Sequence, residues 1–105
     1  MKLYSSTTSP FVRKVLILLN ETGALDQVEQ IVGSGTTLAP NPETVAVNPL
    51  GKVPALVLSE GQVLYDSTVI CRYLATRYQP SLYPDGDRQF PTLVLEATAN
   101  GIMEA

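Results

Sequence analysis

Hydrophobic and polar residues alternate in two rhythms along this chain. Lys2, Leu3, Tyr4 and Ser5 read as a short strand. After the polar Ser6-Thr7-Thr8, residues Phe11, Val12, Val15, Leu16, Leu18 and Leu19 recur at the spacing of an amphipathic helix. Ser9 has the side chain of an N-cap, Pro10 suits the first helical position, and Gly23 marks the stop. Residues 25–32 are expected to form a second strand through Val28, Ile31 and Val32. Residues 33–48, rich in Gly, Thr, Asn and Pro, predict a loop with one helical turn over 43–47. Two strands, 54–58 and 62–65, are then joined by Ser59-Glu60-Gly61, a hairpin-length connection. Residues 67–78 predict a helix, with Ile70, Leu74 and Tyr78 at four-residue steps beside Val69 and Tyr73. Pro80, Pro84 and Asp85-Gly86 mark a connection, and a further helix starts at Arg88 with Phe90, Val94, Ala97 and Gly101 on one face. Pro91 is tolerated in its first turn.

The order β-α-β, loop, β-β-α is the thioredoxin-like arrangement, an α/β fold with a mixed four-stranded sheet. The right-handed crossover rule puts the first helix against one face of that sheet. Residues 1–79 are expected to form this domain, 80–87 a linker, and 88–105 the beginning of an all-α domain. The last helix has no stop signal before Ala105, which is unusual for a complete protein: either the chain is a fragment or the rest of the helical domain was lost.

With 105 residues, 45% apolar and 16% charged, the chain can bury one modest core. The net charge of −3, with seven scattered Lys and Arg residues, argues against nucleic acid as a partner. Its longest wholly apolar run, residues 15–19, is far too short to span a membrane. One cysteine, Cys71, fits a reducing, cytoplasmic setting and falls on the apolar stripe of a helix, where an inert core thiol is expected. With no His and a single Cys, the usual zinc ligand sets are excluded, and so are Ser-His-Asp and Cys-His catalysis.

Two stretches carry candidate chemistry. Val53-Pro54 precedes the apolar run of residues 55–58, where proline belongs at a strand's first residue or edge. A cis bond there would turn the Val53 backbone outward and offer its N–H and C=O to an extended ligand. Asp66-Ser67 ends a strand and opens a helix, whose first N–H groups favour carboxylates. Together they point to a small peptide-like anion. Each also has a plainer reading, since Ser9 and Asp66-Ser67 serve equally as helix caps and Lys52 as a solvated turn residue.

Met1-Lys2-Leu3-Tyr4, Ser9-Pro10-Phe11-Val12-Arg13-Lys14-Val15, Asn48-Pro49-Leu50-Gly51-Lys52-Val53-Pro54, Asp66-Ser67 before Ile70 and Tyr73-Leu74, and Leu82-Tyr83-Pro84 form a set. With it the chain resembles the cytosolic glutathione transferases, their N-terminal domain and the start of their helical domain. Ser-Pro-Phe-Val is most similar to the serine-type bacterial and tau-like members. The resemblance implies glutathione as cosubstrate, no permanently bound cofactor, a small electrophile as second substrate, and a homodimer. It implies Ser9 as hydrogen-bond donor to the glutathione sulfur, and Val53, through a cis Pro54, as backbone partner of the cysteinyl unit. Asp66 and Ser67 would hold the γ-glutamyl ammonium and carboxylate, and Asn100 would reach the γ-glutamyl group in the neighbouring subunit. The family's cation for the glycyl carboxylate has no counterpart in residues 33–47, which leaves Lys52 as the nearest candidate.

The chemistry is coherent. A free thiol with a pKa of about 8.5 is mostly protonated at neutral pH, and only the thiolate attacks electrophiles. Lowering that pKa by about two units requires roughly 2.7 kcal/mol of preferential thiolate stabilisation. One hydroxyl donor and a helix N-terminus are of that order. Two other functions fit the same resemblance: a non-catalytic interaction module, and glutathione-dependent reduction of disulfides or peroxides. Ser9 at the position where a redox relative carries cysteine argues against the latter.

Overall fold

In the computed structural model, which describes residues 1–33 and 46–104, strand β1 (Lys2–Ser5) is the organising element. It pairs in parallel with β2 (Glu29–Val32) on one side and antiparallel with β3 (Ala55–Val57) on the other, and β4 (Val63–Tyr65) closes the far edge. The sheet order is β2-β1-β3-β4, the mixed thioredoxin-like topology expected from the element order. Leu3 and Ser5 are buried while Lys2 is exposed, the alternation that a strand under a helical layer imposes.

That layer consists of α1 (Pro10–Glu21) and α2 (Ser67–Tyr78). Val15 and Leu19 of α1 and Ile70, Cys71 and Leu74 of α2 meet Leu3, Leu56 and Leu58 of the sheet in one core, closed by Ala24 and Val28. Helix α1 begins on the Ser9 cap and stops at Gly23, whose φ of +72° is the left-handed conformation that terminates a helix. Ala24 N–H then reaches back 2.9 Å to the Leu19 carbonyl. Tyr73 packs at the margin of this core, whereas Tyr65 lies exposed at the end of β4.

The second strand is shorter than its apolar pattern suggests. Leu25–Gln27 form a 3₁₀ turn, and pairing starts only at Glu29. The chain must reverse from α1 onto β1 within a few residues, and Gln27 N–H to Ala24 O at 3.0 Å closes that reversal and drops Val28 into the core. The third and fourth strands likewise lose Leu58 and Gln62 to the hairpin, where Leu58 N–H bonds Gln62 O at 2.8 Å, and Pro54 precedes β3. Of the helical turn expected over 43–47, residues 43–45 lie outside the described residues, and Ala46 and Val47 are helical.

Residues 79–88 are not featureless. Pro80–Leu82 and Gly86–Arg88 are 3₁₀ turns, and Tyr83 between them packs against the core under the Arg72 guanidinium, 4.9 Å from its ring centroid. Helix α3 (Gln89–Glu104) turns Thr92, Leu93, Glu96, Asn100 and Met103 towards the domain. Phe90, Val94, Ala97 and Gly101 share the opposite, exposed face, with Phe90 69% and Val94 63% accessible. Among the described residues no helix is long and apolar enough to cross a membrane.

These positions predict contrasting stabilities. Leu74→Ala, at a fully buried site, should lower unfolding free energy by about 2–5 kcal/mol. Phe90→Ala in the same chain should change it by less than about 0.5 kcal/mol. Urea denaturation of the two variants checks this, and a reversed order would contradict the packing described.

Candidate functional site

Strand register gathers the three candidate segments. Ser5 pairs with Val32, Tyr4 with Ala55, and Ala55 with Tyr65, so one end of the sheet emits the β1–α1 loop, receives Val53-Pro54 and delivers Asp66. Ser9, Val53 and Ser67 therefore cluster at that end although they lie far apart in sequence.

Val53-Pro54 is cis. The turn in front of it is built by Asn48, only 2% exposed, a residue whose part the sequence reading did not assign. Its Nδ2 donates to the Lys52 carbonyl at 2.9 Å and its Oδ1 accepts from Leu50 N–H at 2.9 Å, while Gly51 N–H bonds the Asn48 carbonyl at 2.8 Å. Gly51 adopts φ +66°, which the tight turn requires. Asn48 followed at once by Pro49 and three positions on by Gly51 is the available sequence signal. Pro54 is buried, Val53 half-buried, and the Lys52 side chain exposed.

Asp66 caps α2. Its Oδ1 accepts from Thr68 N–H at 2.8 Å and its carbonyl from Ile70 N–H at 3.1 Å. With φ at +66° it is the only described non-glycine residue in the left-handed half of conformational space. Such strain persists where the surroundings fix it and is common at ligand sites. The Asp66 carboxylate is exposed, and Ser67 behind it is buried. The fixed carboxylate and the helix start thus offer one acceptor and several donors side by side, suited to an ammonium and a carboxylate on one carbon.

Ser9 caps α1 by accepting from Val12 N–H at 3.3 Å, and its own N–H is held by Ser6 Oγ at 3.1 Å. A hydroxyl that accepts in this way still has its proton to donate, so capping and thiolate stabilisation are compatible roles. A pocket of about 230 Å³ opens beside it, lined among others by Ser6, Thr7, Arg13 and Gln30.

Asn100 projects from α3 towards the start of α2. Its Oδ1 accepts from Lys14 Nζ at 3.0 Å and its Nδ2 donates to Thr68 Oγ1 at 3.0 Å, both within its own chain. Lys14 also pairs with Glu96 at 2.9 Å, and Tyr83 donates to the same Glu96 oxygen at 2.5 Å. Burial, reinforced by that bond, pushes the Tyr83 phenol well above its ordinary value. These cross-helix partners carry no local motif. Beyond them, an apolar cleft of about 610 Å³ runs between α1 and α3, floored by Ile17, Leu18, Leu95, Ala99 and Met103.

The mixed sheet β2-β1-β3-β4, with α1 and α2 packed on one face, is a thioredoxin-like fold. Residues 8–77 match the family described as "Glutathione S-transferase, N-terminal domain", and the chain belongs to that family. It is 38% identical over its whole length to the GST-like protein YibF of Escherichia coli, covering 51% of that protein. It is 36% identical to the probable glutathione S-transferase GSTF2 of Oryza sativa, over 95% of this chain and 47% of that one. Among solved structures, a glutathione transferase family member from Pseudomonas fluorescens Pf-5 with bound glutathione superposes with a TM-score of 0.93 at 45% identity, over 98% of this chain and 51% of that one. The chain spans about half the length of these relatives.

Cys71 lies on the core side of α2, and burial pushes its thiol up to about 11, opposed by Lys14 and reinforced by Glu96 and Asp66. A thiol raised above its unfolded value of 9.0 stabilises the fold fully below that pH and loses the contribution as pH climbs towards about 11. Relative to Cys71→Ala, the native chain should therefore lose about 1.4 kcal/mol per pH unit across that window. Urea denaturation at stepped alkaline pH reads the difference; a constant gap between the two proteins would contradict the burial of the thiol.

Proposed function

We propose that this chain binds glutathione extended across the sheet end and holds its sulfur as thiolate for attack on a small electrophile. The observation that carries this reading is the convergence of a cis Val53-Pro54, the Asp66-Ser67 helix start and the Ser9 cap on one end of the sheet. The bound glutathione in the Pseudomonas relative supports it at the level of the ligand.

In this reading Val53 pairs its backbone N–H and C=O with the cysteinyl unit, and Pro54 fixes the outward turn. Asp66 receives the γ-glutamyl ammonium, Ser67 and the first α2 N–H groups receive its carboxylate, and Lys52 meets the glycyl carboxylate. Ser9 donates its hydroxyl proton to the sulfur while the N-terminus of α1 adds its positive field. The thiol proton leaves to solvent, so no histidine is needed.

The electrophile and the neighbours of the chain complete the proposal. The apolar α1–α3 cleft suits coverage by the rest of the helical domain that the resemblance implies. The outward stripe of Phe90, Val94, Ala97 and Gly101 suits a homodimer contact, since an apolar patch of that extent is rarely left to water. A reducing, cytoplasmic setting keeps both Cys71 and glutathione in the thiol form.

Ser9→Ala tests the mechanism. Glutathione affinity should change little, because binding rests on Val53, Asp66 and Ser67. The pKa of the bound thiol, read from thiolate absorbance against pH, should rise by about one to two units. Turnover near neutral pH should fall about ten- to a hundredfold and recover in part at higher pH. Loss of the cap should also cost about 1 kcal/mol of stability. An unshifted thiol titration with full turnover would remove Ser9 from the chemistry and leave it a cap.

A further inference from the structure

Lys14 on α1 is the pivot of a polar chain that crosses all three helices. Its Nζ lies 2.9 Å from Glu96 Oε2 and 3.0 Å from Asn100 Oδ1, one helical turn further along α3. Asn100 Nδ2 then donates 3.0 Å to Thr68 Oγ1, and Thr68 N–H donates 2.8 Å to Asp66 Oδ1. The Lys14 and Glu96 side chains are only 19% and 10% exposed, so this pairing is largely sheltered from solvent screening. The direction of the chain is fixed. A lysine ammonium only donates, so it takes the Asn100 oxygen and leaves the amide N–H to face Thr68.

We propose that Asn100 is a positioning residue for the glutathione site of its own subunit, with Lys14 and Glu96 orienting it. By holding Thr68, it sets the first turn of α2 and with it the Asp66 carboxylate and Ser67, which the reading above assigns to the γ-glutamyl group. This inference rests on that reading. It differs from a direct contact with ligand, because Asn100 acts through Thr68. The start of α2 needs such a hold: Asp66 sits at φ +66°, a conformation that an aspartate keeps only when neighbouring groups fix it. The tether also joins the helical segment 89–104 to the ligand-binding end of the thioredoxin-like unit, so that docking of α3 and order at the site are coupled.

Glutathione affinity by calorimetry and amide hydrogen exchange, both on the whole chain, test this in Asn100→Ala, Thr68→Val and the double variant. Each single variant should weaken glutathione about five- to tenfold, the worth of one hydrogen bond, and speed exchange of the Thr68 and Val69 amides while Leu74 stays protected. In enzymatic assay, the KM for glutathione should rise by the same factor with kcat nearly unchanged. The double variant should be no weaker than either single one, because both remove the same contact. Asn100→Asp, which still accepts from Lys14 and would accept from the Thr68 hydroxyl where the native amide donates to it, should recover most of the affinity. Unchanged affinity, or losses that multiply in the double variant, would overturn the tether. A native chain that fails to bind glutathione at millimolar concentration overturns the underlying reading instead, a result separable from the first two. Should Asn100→Ala unfold the chain, exchange at Leu74 would report it and Thr68→Val would decide the question alone.

Discussion

The pairing of β1 with both its neighbours is the constraint on which the molecule depends. Leu3 sits across from Leu56 and beneath Val15 and Leu19, so the same four-residue strand fixes the sheet and anchors the helical layer. A slip of one residue would turn Leu3 to the opposite face and expose it. It would also displace Ser5, Ala55 and Tyr65 relative to one another, and these residues deliver the three segments of the site. Core and candidate site share one register.

On this frame the site is assembled almost wholly from backbone. Two helix starts and one strand-edge residue supply donors and acceptors whose directions are set by φ and ψ. Side chains serve mainly to hold that backbone: Asn48 braces the turn before Val53, Asp66 and Thr68 close the start of α2, and Ser9 closes α1. Donors fixed in this way need no reorganisation when an anion arrives, which suits the stabilisation of a thiolate without a base. The Lys14–Glu96 pair illustrates a different economy. It is sheltered, with Asn100 bonded to Lys14 Nζ and Tyr83 to Glu96 Oε2, although Glu96 Oε1 is buried without a partner among the described residues.

Local signals made much of this legible. Ser9-Pro10 and Gly23 bracket a helix by cap and stop, Ser59-Glu60-Gly61 closes a hairpin, and Asp66-Ser67 opens a helix, each through interactions within four or five residues. Residues 25–27 were not legible as a 3₁₀ turn, because their conformation answers to the distance between α1 and β1 and their own pattern is compatible with strand. The apolar stripe of α3 reads correctly as one face, but its periodicity could not tell that polar Glu96 and Asn100 would turn inward while Phe90 faced solvent. Their partners, Lys14 and Thr68, lie 82 and 32 positions away or more, and no spacing rule reaches so far.

The most direct measurement is a titration of the isotopically labelled chain with reduced glutathione, followed amide by amide. The account predicts saturable shifts at Phe11, Val53, Ser67 and Thr68, all at one end of the sheet. The opposite end, at Lys2, Glu29, Val57 and Val63, should stay unmoved. Absence of shifts at millimolar glutathione, or shifts confined to Ile17, Leu95 and Met103 in the α1–α3 cleft, would contradict it.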